Sequence, residues 1–413
     1  MIMKILLFVV ALFFALPAFT QKDTTISVIS SERERATEQL TESQLKQLHR
    51  QQRRDSIRAH KKIWTSILGG PSYTPEASLG IGGAMLMSFR MNRFDSISQR
   101  SFIPVGFNIS LNGTFVAAGA GTLFFNENKF RIYVRYGFRT EPANFFGVGF
   151  DEIKKTEDLE DLYGKDSITV FHKTTVQFNP KFVWEVYPKI YAGALLDINY
   201  SKSTEMEPYM ASNPAIVKFG PKYRNIGLGA LLQYDSRDDV ATPFTGMLLS
   251  GTGMLFGKYL GGNNNYEMIE LEYRQFQRMF KRRSTLGWIV KSQIGMDNVP
   301  YTELPSFGSP FDLRGYIWGK YRDKSMAYGI VEYRHMFMSE EAYKRGAFWS
   351  KFGVVGWVGT GTLGKTPADW DEWKINYGIG FRVQLQPRKN FRLDIGKEPG
   401  QKWAVYMNMT EAF

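Results

Sequence analysis

The sequence predicts an all-β fold: a transmembrane antiparallel β-barrel of sixteen strands, preceded by a short periplasmic helix. Three observations predict it. From about Pro71 to the end, apolar and polar residues alternate with a period of two over segments often ten or more residues long. The polar faces of these segments carry full charges, such as Glu270, Glu272, Arg274 and Arg278, as a wet lumen requires. After the first twenty residues no run of eighteen apolar residues occurs, and the mean hydropathy is −0.28, so membrane-spanning helices are excluded. A soluble sandwich also alternates. Strand length, charge, and aromatics clustered near strand ends favour the barrel.

In chain order, residues 1–20 come first. Lys4, an apolar core from Ile5 to Ala15 and the exit Pro17-Ala18-Phe19-Thr20 form a secretory signal peptide, too short for a spanning helix. An uncleaved anchor is the other reading. Residues 21–62 form a charged periplasmic helix or tether. Thr41 as N-cap and Gln44 as its reciprocal partner start a helix through Leu45, Leu48 and Ile57 towards Trp64. From Lys46 to Lys62 seven basic residues stand against Asp55 alone, which suits anionic headgroups or the barrel mouth as well as plain solvation. The formal charge is +12. Export sets nucleic acid aside as the partner of that charge and leaves outer-membrane lipids.

Residues 63–413 are assigned to the barrel. The alternation is clearest over 374–386, where Ile375, Tyr377, Ile379, Phe381, Val383 and Leu385 are apolar and the residues between them polar or small. Ile190 to Ser201, Arg131 to Arg139, and residues 226–234, 268–278 and 391–396 repeat it. About fifteen strands can be drawn, and the even counts of single-chain bacterial barrels make sixteen the expectation. The last strand carries Trp403, Val405, Met407 and Met409 in phase with Phe413. Residues 151–165, rich in acidic side chains, read as an exposed loop.

One segment, 298–325, escapes the alternation and is rich in proline and glycine; a stretch of that length is functional or disordered. Within it, Leu313-Arg314-Gly315-Tyr316 resembles the Val-Arg-Gly-Tyr/Phe signature of the BamA/TamA superfamily, the bacterial surface antigen barrels. Tyr234-Asp235-Ser236-Arg237-Asp238-Asp239 with Pro243 and Gly246 is similar to that family's Asp-rich turn. Asn144 to Gly149, Val331-Glu332-Tyr333-Arg334 and Tyr377 to Arg382 also resemble family segments, so the likeness covers about residues 70–413. The resemblance implies a bacterial outer-membrane location and a loop folded into the lumen, with Arg314 gripping a barrel-wall glutamate at Glu332. It makes Phe413, closing the series from Trp403, a terminal assembly signal. It also implies a role in outer-membrane protein assembly, insertion or translocation, with other outer-membrane or periplasmic proteins as partners. Two departures stand out. Where the family shows aromatic-x-Asp-x-Gly, this chain has Trp357-Val358-Gly359-Thr360-Gly361, without the second acid. The forty-odd residues before the barrel are too few for a polypeptide-transport (POTRA) domain.

Other chemistry is thin. Cysteine is absent and there are four histidines, so no thiolate, disulfide, metal site or cofactor is expected. No nucleophile-elbow, zincin or P-loop motif occurs. His172 and His335 read as structural residues, and Asp235, Asp238 and Asp239 as a rim turn rather than a calcium site. A non-catalytic scaffold or pore is the alternative function. A lipid-modifying enzyme is a more remote one, because it needs a serine–histidine pair facing lipid on adjacent strands.

Overall fold

The computed structural model describes residues 63–413 except 75–77, 93–94, 96, 164–168, 281–282 and 401–402. The signal peptide expected at 1–20 and the helix or tether expected at 21–62 lie outside the described residues. Trp64, towards which that helix was expected to run, lies in the first strand.

Sixteen strands follow one another in a single antiparallel sheet whose spatial order is the chain order. The first eight are β1 (Ile63–Thr74), β2 (Ser78–Phe89), β3 (Ser101–Ser110), β4 (Phe115–Phe125), β5 (Phe130–Asn144), β6 (Val170–Tyr187), β7 (Ile190–Thr204) and β8 (Lys222–Asp235). The rest are β9 (Gly246–Phe256), β10 (Tyr266–Met279), β11 (Ser284–Asp297), β12 (Ser325–Met336), β13 (Phe352–Gly364), β14 (Trp373–Gln386), β15 (Lys389–Lys397) and β16 (Trp403–Asn408). Four helices sit in the connections: α1 (Gly149–Tyr163), α2 (Pro208–Ser212), α3 (Pro214–Val217) and α4 (Glu340–Lys344). The sheet curls until β1 comes beside β16. Among the described residues no ladder joins those two strands.

The faces are inverted relative to a soluble sandwich. On β14 Ile379 is 67% exposed and Ile375 and Phe381 also point outward, while Asn376 and Arg382 are buried inside. An apolar outer wall around a polar interior is the arrangement that lipid on one side and a lumen on the other select. Most strands have ten or more residues, enough for a tilted span.

The connections fall into two sets. At one end, the loop end, lie the connections β5–β6, β11–β12, β13–β14 and β15–β16. At the other, the turn end, β6–β7 and β14–β15 turn in two residues. Residues 151–163 are not the exposed loop expected of 151–165. They belong to α1, whose Ile153 and Thr156 are buried. Ile153 packs with the residues of the β11–β12 loop, and Phe150 three residues earlier packs beside it. Glu157 pairs with Lys320 at 2.5 Å, so the helix covers the loop that enters the lumen.

Candidate functional site in the barrel interior

The β11–β12 loop folds inward, and Leu313, Arg314 and Tyr316 at its tip are all buried. Its backbone lies directly on the wall. Gly315 has φ +119°, and a Cβ there would come within 2.7 Å of the Lys397 backbone. A Cβ on Gly396 would meet Arg314 O at 2.6 Å. Two glycines thus allow loop and β15 to touch main chain to main chain.

Arg314 is 0% exposed. Its Nη2 donates to Glu332 Oε2 at 2.5 Å and its Nη1 to Asp394 Oδ2 at 2.7 Å. The guanidinium lies 3.6 Å from the centre of the Trp357 ring. Its main-chain O accepts from Asn376 Nδ2 at 2.7 Å. Glu332 faces the interior with Arg334, whereas Val331 and Tyr333 face outward. The second acid that the Trp357–Gly361 segment lacks is supplied by Asp394, two strands away on β15. The space at Gly359 is filled instead: a Cβ there would fall 2.5 Å from Asn376 Oδ1 and 2.9 Å from Leu313 Cδ2.

Asp394 also accepts from Arg382 Nη1 at 2.5 Å and Arg392 Nη1 at 2.8 Å. Glu332 accepts from Arg334 Nε at 2.7 Å. Glu411 binds Arg382 Nε at 3.0 Å and Asn390 Nδ2 at 2.8 Å. Four arginines (314, 334, 382, 392) therefore share three side-chain carboxylates (332, 394, 411), all of them buried. Main-chain oxygens add further acceptors: Arg392 Nη2 donates to Pro310 O at 2.6 Å and Arg334 Nη2 to Phe413 O at 3.0 Å. A buried charge left without partners is costly, so removing any one member of this network strands the groups it holds. Sequence reasoning missed Asp394, Arg382, Arg392 and Glu411. The available signal was their position on the polar faces of two alternating strands and the tail beyond.

Tyr316 closes the motif. Its hydroxyl donates to Ile375 O at 2.7 Å, and its ring meets Phe307 and Tyr321 at 5.4 and 5.2 Å. Gly315 N donates to Tyr406 Oη at 3.0 Å. Through these bonds the loop touches every strand from β12 to β16.

The series from Trp403 to Phe413 is corrected by the structure. Trp403 and Met407 point outward and Val405 is half-buried, but β16 ends at Asn408. Met409 and Phe413 leave the outer phase and are buried inside, with the Phe413 ring 6.0 Å from Phe276 and 5.0 Å from the Arg334 guanidinium. Burial of Glu411 on Arg382 draws the tail inward. The terminal aromatic is covered in the folded chain.

Above the network the lumen holds a cavity of about 1340 Å³ lined by polar side chains including Lys173, Lys181, Asp197, Glu270 and Glu303. Among the described residues no group of three or more histidine, cysteine, aspartate or glutamate side chains is placed to hold a metal ion. Asp238 and Asp239 accept from backbone N–H groups of their own turn at 2.8 Å. A serine–histidine pair that the sequence did not disclose does exist on adjacent strands: Ser284 Oγ lies 2.7 Å from His335 Nδ1. Ser284 is wholly buried.

Residues 105–406 match the model of the Omp85 superfamily domain. The chain belongs to the Omp85 superfamily. Among solved structures, this Omp85 chain is similar to CdiB from Acinetobacter baumannii, with a TM-score of 0.50, 10% identity, and 84% of this chain and 59% of that one covered. It is also similar to CdiB from Escherichia coli (0.49, 10%, 85% and 61%) and to BamA from Haemophilus ducreyi lacking POTRA domains 1–3 (0.48, 12%, 84% and 69%). The Omp85 chain thus spans 59% to 69% of the lengths of these structures, and the likeness is one of fold. No curated protein matches it.

Proposed function

We propose that this chain is a barrel of the bacterial outer membrane that serves protein assembly, insertion or translocation there, with no enzymatic step of its own and with outer-membrane or periplasmic proteins as partners. On this reading residues 1–20 direct export and 21–62 tether or contact the periplasmic side. The observation that carries it is the seating of the loop motif. Arg314 sits in the lumen between Glu332 and Asp394, while the adjoining Gly315 is bonded to Tyr406 of the strand bordering the open seam. Loop position is thereby tied to the strand that borders the seam, because Tyr406 of β16 holds the loop main chain.

The test is affinity purification of the full chain from native membranes, combined with its depletion. Co-purifying envelope proteins and a fall in other outer-membrane barrels support the reading. A chain that purifies alone, and whose loss leaves every other barrel unchanged, overturns it. The cavity of about 1340 Å³ favours a second reading, a pore. Steady ion conductance in planar bilayers, unaffected by Arg314→Ala, would mark that alternative.

A further inference from the structure

The connection from β12 to β13, residues 337–351, is far longer than its neighbours at the turn end, the four residues between β10 and β11 and the two between β14 and β15. It holds α4, whose N-cap Ser339 accepts from Ala342 N at 3.3 Å, and a single 3-10 turn, Phe348–Lys351. Buried Arg283 pins it from inside. Its Nη1 donates to Ser350 O at 2.8 Å, its Nε pairs with Glu340 at 3.1 Å, and it lies 4.8 Å from the Tyr343 ring centre. Its Nη2 donates to Gln384 on β14. The segment is a held element, and it holds two large side chains outward.

Phe348 is 65% and Trp349 62% exposed. They pack on one another at 5.4 Å and on Phe352 at 5.0 and 5.6 Å. Phe352 in turn stacks on Phe381, an outward residue of β14, at 5.7 Å. Phe337 extends the outward row of Tyr333 and His335 on β12. Lys344, Arg345 and Lys351 are exposed and lie within four residues of the pair in sequence. Glu341 and Glu340 are exposed acids of the same segment, and Glu340 is engaged by Arg283.

Rigidly presented aromatics with cations at their margin are poorly served by water. Tryptophan with lysine or arginine is the composition that settles at a bilayer's polar boundary. We propose that residues 337–351 form an in-plane membrane anchor. Phe348 and Trp349 insert at headgroup depth in the leaflet at the turn end, and Lys344, Arg345 and Lys351 meet its anionic phosphates. This rests on the reading that the outer face of the sheet meets lipid. Phospholipid is the occupant because the cluster runs without a break into that apolar wall, and because lysine is depleted where proteins cover an apolar patch. The anchor sets the depth of β12, β13 and β14, strands on which the loop motif is seated.

The chain has no cysteine, so Phe348→Cys and Trp349→Cys each create a unique spin-label site, with Val358→Cys in the middle of β13 as reference. The full-length protein is reconstituted in phosphatidylcholine vesicles with and without phosphatidylglycerol. Power saturation with oxygen and a water-soluble nickel chelate should place the first two labels at headgroup depth, shallower than the third. Replacing Lys344, Arg345 and Lys351 together by glutamine should abolish any difference between the two lipids. Labels open to nickel, or shielded from both reagents as beneath a partner protein or a second copy, overturn the anchor. A depth that ignores phosphatidylglycerol overturns the role of the three basic residues. Should the Val358 label read water, the membrane reading itself fails.

Discussion

Gln386 of β14 donates its side-chain amide to Ser66 Oγ of β1 at 2.9 Å, reaching across a seam that carries no ladder. The same amide lies 3.4 Å from Trp64 O and 3.3 Å from Leu86 O. The reach is possible because β16 stops at Asn408 opposite Arg392, so residues 389–391 of β15 have no strand on that side. Gln386→Ala should cost about 1–3 kcal/mol, the usual penalty for stranding buried acceptors. It should also speed amide hydrogen exchange over residues 63–68 while β10 and β11 stay protected. Unchanged exchange in β1 would place the clasp elsewhere.

Asp394 holds three arginines within 2.8 Å, whereas Glu332 holds two within 2.7 Å and a third at 3.8 Å, so Asp394 should be the most sensitive point of the network. Removing it leaves four guanidinium groups to two side-chain carboxylates, whereas removing Arg314 leaves three to three. Asp394→Ala should therefore destabilise the folded barrel by more than the roughly 3–5 kcal/mol expected of Arg314→Ala or Glu332→Ala. The Arg314 and Glu332 changes should be strongly non-additive in a double-mutant cycle on thermal unfolding in detergent. Additive or neutral effects would defeat the lock.

Restoring an acid at Gly359 should harm this chain. The side chain would enter space held by Leu313 and Asn376, and overpacking costs about 1–3 kcal/mol. Gly359→Asp should lower the unfolding temperature, and Leu313→Ala in the same chain should recover part of the loss. A stabilised Gly359→Asp variant would show that Asp394 is a weak substitute.

Phe413 is buried against Phe276, so Phe413→Ala should cost about 3–5 kcal/mol in the folded barrel. Trp403→Ala, on the outer face, should leave detergent stability nearly unchanged. Equal effects at the two positions would return the tail to the outer phase.

Burial, with Asp197 nearby, pushes the carboxyl of Glu303 at the loop base up to about 7 from its ordinary 4.5. Asn199 Nδ2 donates to it at 3.1 Å, Thr302 Oγ1 lies 3.5 Å away, and Lys173 opposes the upward shift. The folded chain thus holds this proton more tightly than the unfolded one. The associated stability is complete below about pH 4.5 and is lost as pH rises through 7. Glu303→Gln should be more stable than the natural chain by about 1–3 kcal/mol at pH 8, cavity water screening part of the gain. The advantage should vanish below pH 4.5 in paired thermal melts. A constant difference across that range would assign the effect to packing.

Local pattern by itself determined the strands. Alternation with a period of two, as in Ile375 to Phe381, needs only a chain at an apolar–polar boundary, and it set the phase of Glu332 against Val331. The tetrapeptide at Leu313 was legible only through its resemblance to a family signature; that its glycine alone fits the backbone of the inward fold is seen in the structure. Tertiary structure alone decided the partners. Asp394 and Gln386 look like any polar residue on a wet strand face, and their roles arise from which strand curls opposite which. The helix over 149–163 and the inward tail at 409–413 were hidden for the same reason. A short amphipathic turn gains its stability from the surface it covers, and Phe413 leaves its strand phase because Arg334 and Arg382, distant in sequence, offer a buried site for the tail.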